Sequence, residues 1–405
     1  MAGAGPAGCA AAIAAASAGV DVLLVDKAPS FPRPKPCGDA LTPRAVAAMA
    51  ALGVAIPPSA HPVRGLVAWG MGDDCSRFEW PATSGLTTNS YVVSREELDH
   101  AMLMAAIQAG ARVKLGQPVV GLLTERGRTA GVTNQNGDAL RAPVVVDATG
   151  VSSRLAEAAG LPRITSRPMG VAVRGYMRQD GPADEEWLHS WLALNGPDGT
   201  SLPGYGWVFP MGGSLYNVGV GQLSVSPSYR QTNYRALLRS WVAGLPGNWH
   251  LDWATPQIVG AALPMGIDRA GVYRGGVLLT GDAAGLVNPF NGEGVSYAMQ
   301  SGHLAGLAVA SAKQAGFGTN AGEEALRNYH RAIKAVFGHY YGAGNLFTSL
   351  MGRQTVLEVC LRYGLPRPSI MRPVNKLMAN LIAPKGGPID DALLRGLLRL
   401  VPAPK

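Results

Sequence analysis

The chain has 405 residues, of which 47% are hydrophobic and only 15% charged, and its formal net charge is +8. Apolar residues throughout the chain exclude intrinsic disorder, and the length predicts two or three domains around a large core. The four cysteines (Cys9, Cys37, Cys75 and Cys360) show no paired spacing, so neither a disulfide framework nor a metal site is predicted and a reducing compartment is expected.

The first predicted elements form a dinucleotide-binding pattern. Gly3, Gly5 and Gly8 form a G-x-G-x-x-G motif, and a helix of small residues follows from 9 to 18. The apolar run 20–25 then predicts a buried strand that ends at Asp26. Glycines let a backbone approach a pyrophosphate at a helix N-terminus, and an acid about 20 residues on suits a ribose hydroxyl. The alternative for the glycines alone is a simple turn, but helix, strand and acid all follow in register.

The strand that normally precedes these glycines is represented only by Met1 and Ala2. We therefore expect a truncated first strand in the sheet. After the second strand, the closely spaced prolines of 31–44 predict a rigid loop that carries Cys37-Gly38-Asp39. Cys37 is either an ordinary buried thiol or a residue that faces the cofactor.

The middle of the chain adds a helix, a hairpin and a second strand-to-glycine turn. Ser94 is predicted to cap a helix that begins at Arg95, whose guanidinium is either a surface charge or a phosphate clamp. Asn136-Gly137 predicts a tight hairpin turn, and the run 144–150 predicts a strand that ends in a glycine turn.

Residues 166–265 alternate strand-like runs and predict an antiparallel sheet inserted between the cofactor-binding parts. The run 277–280 then predicts a strand that ends at Gly281-Asp282, and the segment around Glu293-Gly294 opens a long small-residue helix that reaches about residue 312. A carboxylate at a strand tip suits a sugar-alcohol hydroxyl, and a helix N-terminus favours the negative charge of a reduced flavin. This second pattern therefore predicts a flavin site.

Together, these motifs resemble the geranylgeranyl reductase family within the p-hydroxybenzoate-hydroxylase-like flavoproteins, and in that family the menaquinone-reducing members most closely. The resemblance covers residues 3 to about 385. It is carried by the three glycines, by 36–39, by Arg95, by 202–210 and by 281–294. It implies an α/β fold, with a Rossmann-type FAD-binding domain, the inserted antiparallel-sheet substrate domain and a C-terminal helical region.

The resemblance also implies site residues. FAD contacts are expected at Gly5, Ala7, Asp26, Cys37, Gly38, Ala40, Arg95, Asp282, Gly294 and Val295, with Val119 touching the adenine through its backbone. Tyr205, Trp207 and Phe209 match a Tyr-x-Trp-x-Phe-Pro signature expected beside the isoprenoid; the alternative is simple sheet-core packing. Two departures from the family pattern are Ala40, where glycine is frequent, and Thr149-Gly150, where the hydroxylases carry Asp-Gly.

The implied activity is saturation of isoprenoid double bonds in the menaquinone side chain or a geranylgeranyl lipid. FAD would supply hydride, with NAD(P)H or a ferredoxin-like donor as reductant. Aromatic faces such as Tyr205 and Trp207 would stabilise cationic character on the alkene, and Cys37 is the candidate proton donor. The main alternative is an aromatic monooxygenase or halogenase on the same scaffold, and a third is a flavin-binding protein without chemistry of its own.

The predicted division assigns 1–165 and 266–320 to the FAD-binding domain, with smaller strands at 60–95. It assigns 166–265 to the substrate domain and 321–405 to the basic helical region. That last segment holds 12 Lys or Arg against five Asp or Glu. It is either a solvated surface or a contact with an anionic membrane, and no nucleic-acid motif is present. We therefore expect a cytoplasmic protein at the inner face of the cell membrane, of undefined oligomeric state.

Overall fold

The computed structural model describes residues 1–70, 75–82, 86–179, 185–226, 228–247, 249–255, 257–383 and 385–404. In these residues the helices are α1 (Pro6–Ser17), α2 (Pro43–Ala51), α3 (Arg95–Gln108), α4 (Arg154–Ala158), α5 (Tyr234–Ala243), α6 (Val295–Ala315), α7 (Asn320–Met351), α8 (Gln354–Val359), α9 (Pro368–Met378) and α10 (Ile389–Leu400). A 3₁₀ turn spans Gly281–Ala284, and a π-helical turn spans Cys360–Gly364.

The strands up to residue 150 are β1 (Leu23–Val25), β2 (Ala40–Leu41), β3 (His61–Val63), β4 (Gly65–Trp69), β5 (Cys75–Glu79), β6 (Ser90–Val92), β7 (Arg112–Lys114), β8 (Val119–Glu125), β9 (Arg128–Asn134), β10 (Ala139–Arg141) and β11 (Val145–Asp147). Those after it are β12 (Met169–Gln179), β13 (Trp187–Trp191), β14 (Leu194–Asn195), β15 (Ser201–Leu202), β16 (Gly204–Pro210), β17 (Leu215–Leu223), β18 (Leu251–Trp253), β19 (Val259–Pro264), β20 (Tyr273–Arg274) and β21 (Val277–Leu279). The mixture confirms the predicted α/β class.

A mostly parallel sheet holds the opening glycines. β1 pairs in parallel with β7, and β11 pairs in parallel with β21. Ala2 makes parallel bridges to Val25 and to Asp147, so it lies between β1 and β11. Its N–H donates to the Val146 carbonyl at 2.9 Å, and the Gly3 N–H donates to the Val25 carbonyl at 2.7 Å. Met1 and Ala2 therefore lie in the middle of the sheet, between β1 and β11, and lead into the loop that carries Gly3 and Gly5 (the glycine loop).

Helices α1 and α6 pack against each other at very short range, because glycines on α6 face the backbone of α1. A Cβ on Gly302 would lie 2.1 Å from the Ala7 carbonyl oxygen, and one on Gly306 would lie 2.5 Å from that of Ala11. No larger residue fits at either position. This packing explains the small-residue composition of both helices, and it brings residues 1–20 and 281–315 together.

A mostly antiparallel sheet forms the second large element. Its order is β18-β12-β17-β16-β13-β4-β5, with β19 also paired to β12. The strands predicted between 166 and 265 all take part in it or lie beside it. β4 and β5 join this sheet through the parallel pairing of β4 with β13, although the predicted division counted the strands between 60 and 95 with the FAD-binding part. That division itself stays a prediction.

The C-terminal helices are part of the same packed body. The side chains of Leu326, Tyr329, Ile333 and Phe337 on α7 belong to the buried cluster that also contains residues of α1, α3 and α6.

The predicted hairpin at Asn136-Gly137 joins β9 to β10, with Gly137 at φ 86°. In the described part of the chain, none of the helices is long and apolar enough to cross a bilayer.

Candidate active site

The three opening glycines have three different surroundings. Gly3 has φ 102°, and a Cβ on it would lie 2.3 Å from the Ala148 carbonyl oxygen. A Cβ on Gly8 would lie 1.8 Å from the Gly3 carbonyl oxygen, so Gly8 is required for packing rather than for access. Gly5 faces open space, and its nearest atom would be Arg33 Nη2 at 3.5 Å. Only Gly5 therefore leaves room for a bound group against the start of α1.

The start of α1 is suited to an anion. Gly5 is its N-cap residue and gives no side-chain cap, and Pro6 occupies the first turn. The free N–H groups of the first turn and the helix dipole favour a phosphate there. Asp26, at the end of β1, accepts from the Ala4 N–H at 2.7 Å and from the Ala28 N–H at 2.8 Å. These bonds fix the Asp26 carboxylate beside the glycine loop.

The second predicted flavin segment lies directly beside the first. A Cβ on Gly281, which has φ 57°, would lie 3.0 Å from the Ala7 Cβ. A Cβ on Gly294 would lie 3.6 Å from Asp282 Oδ1, and Gly294 caps α6 without a side-chain bond. The strand tip and the start of α6 therefore meet the start of α1, and two uncapped helix N-termini lie in one site.

Two arginines, one buried and one half-buried, hold the Gly281–Asp282 turn. Arg269 is 1% exposed, and its Nε donates to the Ala283 carbonyl at 3.0 Å. Arg163 Nη2 donates to the Asp282 carbonyl at 3.4 Å, and the same guanidinium pairs with Asp268. Neither residue could be predicted from the sequence, since nothing in their local pattern indicates this contact.

One cavity of about 2090 Å³ joins these segments. Typical ligand pockets have volumes of about 300–1,000 Å³, so this one has room for a cofactor and a second molecule. The predicted site residues that line it are Gly3, Gly5, Ala7, Asp26, Cys37, Gly38, Ala40, Arg95, Val119, Asp282, Gly294, Val295, Tyr205, Trp207 and Phe209. Gly8 is the one predicted site residue outside this lining.

Arg95 is not a surface charge. It is 8% exposed and makes two hydrogen bonds to Asp99, which is fully buried, from Nε at 2.9 Å and from Nη2 at 3.0 Å. Arg33, from the proline-rich loop, adds a second ion pair to Asp99 at 3.2 Å. Asp99 therefore anchors both arginines at the cavity wall. The spacing of four residues between Arg95 and Asp99 could have indicated this pair from the sequence.

A buried polar network connects the Cys37–Asp39 loop with the aromatic strand. Asn217 Nδ2 donates to the Cys37 carbonyl and to Asp39 Oδ2, each at 2.8 Å, and its Oδ1 accepts from Trp207 Nε1 at 2.9 Å. Asp39 Oδ2 also accepts from the Tyr176 hydroxyl at 2.8 Å. Asn217 thus links Trp207 to the Cys37–Asp39 loop through hydrogen bonds to both, a link that could not be predicted from the sequence.

Three acidic groups along the cavity are shifted toward their protonated forms. Desolvation raises the pKa of the Cys37 thiol, although Arg95 beside it opposes the shift. Burial also raises the pKa of the Asp39 carboxyl, against the hydrogen bonds from Tyr176 and Asn217. Desolvation raises the pKa of Glu293, whose Oε1 accepts from the Thr42 hydroxyl at 2.9 Å. Groups with shifted pKa values in a cleft are typical of functional sites.

The three aromatic residues alternate along β16 and face the cavity. The ring centroids of Tyr205 and Trp207 are 5.9 Å apart, and those of Trp207 and Phe209 are 6.1 Å apart. The Trp207 ring lies close over Gly219 of the neighbouring strand β17, where a Cβ would be only 2.2 Å from the ring. The absence of a side chain on Gly219 therefore leaves room for the ring. A Cβ on Gly38 would lie 3.5 Å from the Phe209 ring. The aromatic wall formed by Tyr205, Trp207 and Phe209 therefore contacts the Cys37–Asp39 loop, in which flavin contacts were predicted.

The comparisons with known proteins agree with this geometry. Residues 1–339 match the model of a family described as FAD binding domain. The chain is 40% identical to the menaquinone reductase of Mycobacterium tuberculosis over 305 residues, 75% of this chain and 74% of that protein. It is 31% identical to digeranylgeranylglycerophospholipid reductase 1 of Methanopyrus kandleri over 320 residues, 75% and 78% of the two chains.

Solved structures show the same fold. A geranylgeranyl bacteriochlorophyll reductase-like protein from Thermoplasma acidophilum has a TM-score of 0.79 at 22% identity, with 98% of each chain covered. A flavin-dependent brominase has a TM-score of 0.71 at 18% identity, with 98% of this chain and 97% of the other covered. At these identities, the likeness describes the fold and not the chemistry.

Proposed function

The chain belongs to the FAD-binding-domain family and, within it, to the geranylgeranyl reductase group, and we propose that it is an FAD-dependent reductase. The proposed reaction is the saturation of isoprenoid carbon–carbon double bonds. The menaquinone side chain is the first candidate substrate and a geranylgeranyl lipid the second. One observation carries the proposal. The cavity that receives both uncapped helix N-termini continues along the aromatic face of β16.

The residues at the glycine loop fit FAD. The space beside Gly5 admits a pyrophosphate at the start of α1, and the Asp26 carboxylate is placed for the adenosine ribose. Val119 would border the adenine, and Asp282 would meet the ribityl hydroxyls. Gly294 and Val295 would turn the N–H groups of α6 toward the pyrimidine end of the ring. When bound, FAD supplies the transfer of hydride to one alkene carbon.

The chain's own residues would orient the alkene and supply the proton. Tyr205 and Trp207 offer aromatic faces to the developing cation, worth about 0.5–2 kcal/mol each. The Tyr205 hydroxyl donates to the Asn291 carbonyl at 2.7 Å, so its ring is held in place. Cys37 remains our candidate proton donor. Its raised pKa keeps the thiol protonated at neutral pH, and Arg95 lies beside the thiolate that a transfer would leave.

Beyond the aromatic wall, the cavity is lined by aliphatic side chains of the C-terminal helices, namely Leu357, Leu361, Leu365, Met371 and Val374. An apolar channel of this kind suits a prenyl chain rather than a small polar substrate. We place the protein in the cytoplasm, with peripheral contact between its basic region 321–405 and the inner face of the membrane.

The proposal is tested by adding FAD and a reductant, either NAD(P)H or a ferredoxin-like donor, and measuring the mass of prenylated substrates. Because a quinone head group also takes up two hydrogens, the products are oxidised in air before measurement. A lasting gain of two hydrogens in the side chain supports the proposal. No gain in any prenylated quinone or lipid, with FAD bound and reducible, contradicts it.

A matched pair of variants tests the aromatic wall. Trp207→Ala should lower turnover strongly while FAD stays bound, because its ring faces the cavity. Trp241→Ala is the control, since its ring lies against Gly206 on the opposite face of the same strand. Full activity of Trp207→Ala with full FAD content would remove Trp207 from the mechanism.

The alternative on the same scaffold is a monooxygenase or halogenase. The 40% identity to a menaquinone reductase favours the reductase, whereas the brominase likeness concerns the fold alone. Oxygen uptake coupled to substrate would favour the alternative. Flavin that reduces but turns over no lipid would favour a binding protein without chemistry of its own.

A further inference from the structure

Helix α10 presents an apolar stripe to the outside of the molecule. Ile389, Leu393, Leu397 and Leu400 follow one another at helical spacing and are 82%, 69%, 53% and 82% exposed. Residues at this spacing lie on one face of a helix. Single exposed leucines are common on protein surfaces. Four large apolar side chains on one helix face form a contiguous patch, and such patches are typical of surfaces that bind a membrane or another protein.

The opposite face of α10 attaches to the protein through charged residues. Asp391 is 1% exposed, and its Oδ1 lies 2.5 Å from Lys376 Nζ on α9. Arg395 Nη1 donates to the Ala383 carbonyl at 2.6 Å and to the Gly386 carbonyl at 2.8 Å. Leu398 on this face also packs against the main buried cluster. The stripe of Ile389, Leu393, Leu397 and Leu400 nevertheless points outward, whereas an ordinary surface helix turns its apolar side chains inward.

The far end of α10 is fixed as well. The chain that follows it packs on α7, where a Cβ on Gly342 would lie 2.2 Å from the Pro402 carbonyl oxygen and one on Gly338 would lie 2.7 Å from the Ala403 Cβ. His339 Nδ1 lies 2.9 Å from the Val401 carbonyl oxygen. With both ends attached, the outward direction of the stripe is a property of the fold.

The surroundings of the stripe are basic and adjoin the active-site cavity. Lys385 precedes the helix and Arg399 lies in its last turn, and both are exposed. Asp390 at the start of α10 and the exposed Arg372 on α9 both line the cavity. A bilayer with anionic headgroups matches both features, because it takes apolar side chains and attracts the cations around them.

We propose that α10 lies in the interface of an anionic bilayer leaflet, with Ile389, Leu393, Leu397 and Leu400 inserted, and that it sets the apolar end of the cavity against the membrane. A prenyl chain then passes from the bilayer into the cavity without crossing water. The passage of the chain rests on the proposed function, whereas the attachment of α10 to lipid does not.

The test compares vesicle binding by the FAD-loaded full chain and two double variants. Leu393→Ser/Leu397→Ser removes the centre of the stripe. Met104→Ser/Ile107→Ser is the matched control, because these residues are 40% and 42% exposed on α3 and carry no part of the proposal. With vesicles that contain phosphatidylglycerol, we expect the α10 variant to bind roughly 10- to 100-fold more weakly than the wild type, and the control to bind unchanged.

The contribution of charge to vesicle binding is tested with the same vesicles. Arg399→Gln should weaken binding about fivefold, and raised salt or replacement of the anionic lipid by phosphatidylcholine should weaken wild-type binding. Unchanged FAD content and melting temperature would show that each variant folds. A wild type that ignores anionic vesicles, or an α10 variant that binds them like the wild type, overturns the proposal.

Two further readouts separate the alternatives. If the stripe instead covers a second copy of this chain, the wild type is a dimer, the α10 variant is a monomer and vesicle binding does not change, which overturns the proposal. Activity is measured on a short detergent-soluble prenyl substrate and on a bilayer-embedded one. We expect the α10 variant to keep the first and lose the second. Absence of both activities in the wild type contradicts the proposed function, while the vesicle result still decides the role of α10.

Discussion

Replacing Gly5 by alanine should separate cofactor binding from folding. Gly5 has φ −80° and ψ −175°, a conformation that alanine adopts without strain. The added Cβ would meet no protein atom closer than Arg33 Nη2 at 3.5 Å. The stability of the apoprotein should therefore change by about 1 kcal/mol or less, because the restriction that alanine places on the unfolded chain is offset by its weaker preference for the N-cap position.

The same Cβ would occupy the space that a pyrophosphate needs at the start of α1. Crowding of one methyl group into a filled site costs about 1–3 kcal/mol. This energy corresponds to FAD binding that is about 5- to 150-fold weaker. The effect should appear in the dissociation constant and not in the unfolding of the apoprotein.

The assay is an FAD titration by flavin fluorescence, together with urea unfolding of the apoprotein. Gly8→Ala is the control, because its Cβ would lie 1.8 Å from the Gly3 carbonyl oxygen and must displace backbone. That variant should lose stability before any cofactor is added. Wild-type FAD affinity in Gly5→Ala, or apoprotein unfolding as severe as in Gly8→Ala, would refute the reasoning.

Two further predictions concern buried acids. Asp99→Ala should lower the free energy of unfolding by about 3–5 kcal/mol, because Arg95 and a second arginine lose their buried partner; the exposed Asp21→Ala, measured in the same urea series, should cost at most about 1 kcal/mol. Burial raises the pKa of Asp39 above its usual 3.8, so the folded state holds this proton more tightly than the unfolded chain, and the associated stability is lost as the pH rises through the raised pKa. Asp39→Asn should therefore show a shallower fall in melting temperature from about pH 4 upward, and equal slopes in the two proteins would count against this role for Asp39.

The sequence predicted those features that depend on neighbouring residues. The glycine loop, the Ser94 cap and the Asn136-Gly137 turn are all in place, since each is determined by a few adjacent residues. The meeting of Gly281 with Ala7 was also expected, because two separate motifs both pointed to one flavin. Local chemistry and a matched motif were sufficient there.

The polar network could not be predicted in the same way. Asn217 lies 178 residues from Asp39, and strand alternation indicates only the face on which it lies, not its partner. The outward direction of the α10 stripe could not be predicted either, since periodicity identifies an apolar face but does not say whether that face turns inward. In both cases, the deciding contacts come from distant parts of the chain.

The central claim is that the flavin held between the two uncapped helix N-termini reduces a prenyl chain beside Trp207. It is tested most directly by a single turnover without oxygen, in which the reduced FAD-loaded protein is mixed with menaquinone already reduced to the quinol, or with a prenylated lipid that lacks a quinone. We expect the flavin to reoxidise and one lipid molecule per flavin to gain two hydrogens. A flavin that stays reduced until oxygen is admitted, with a hydroxylated or unchanged lipid, would contradict the account.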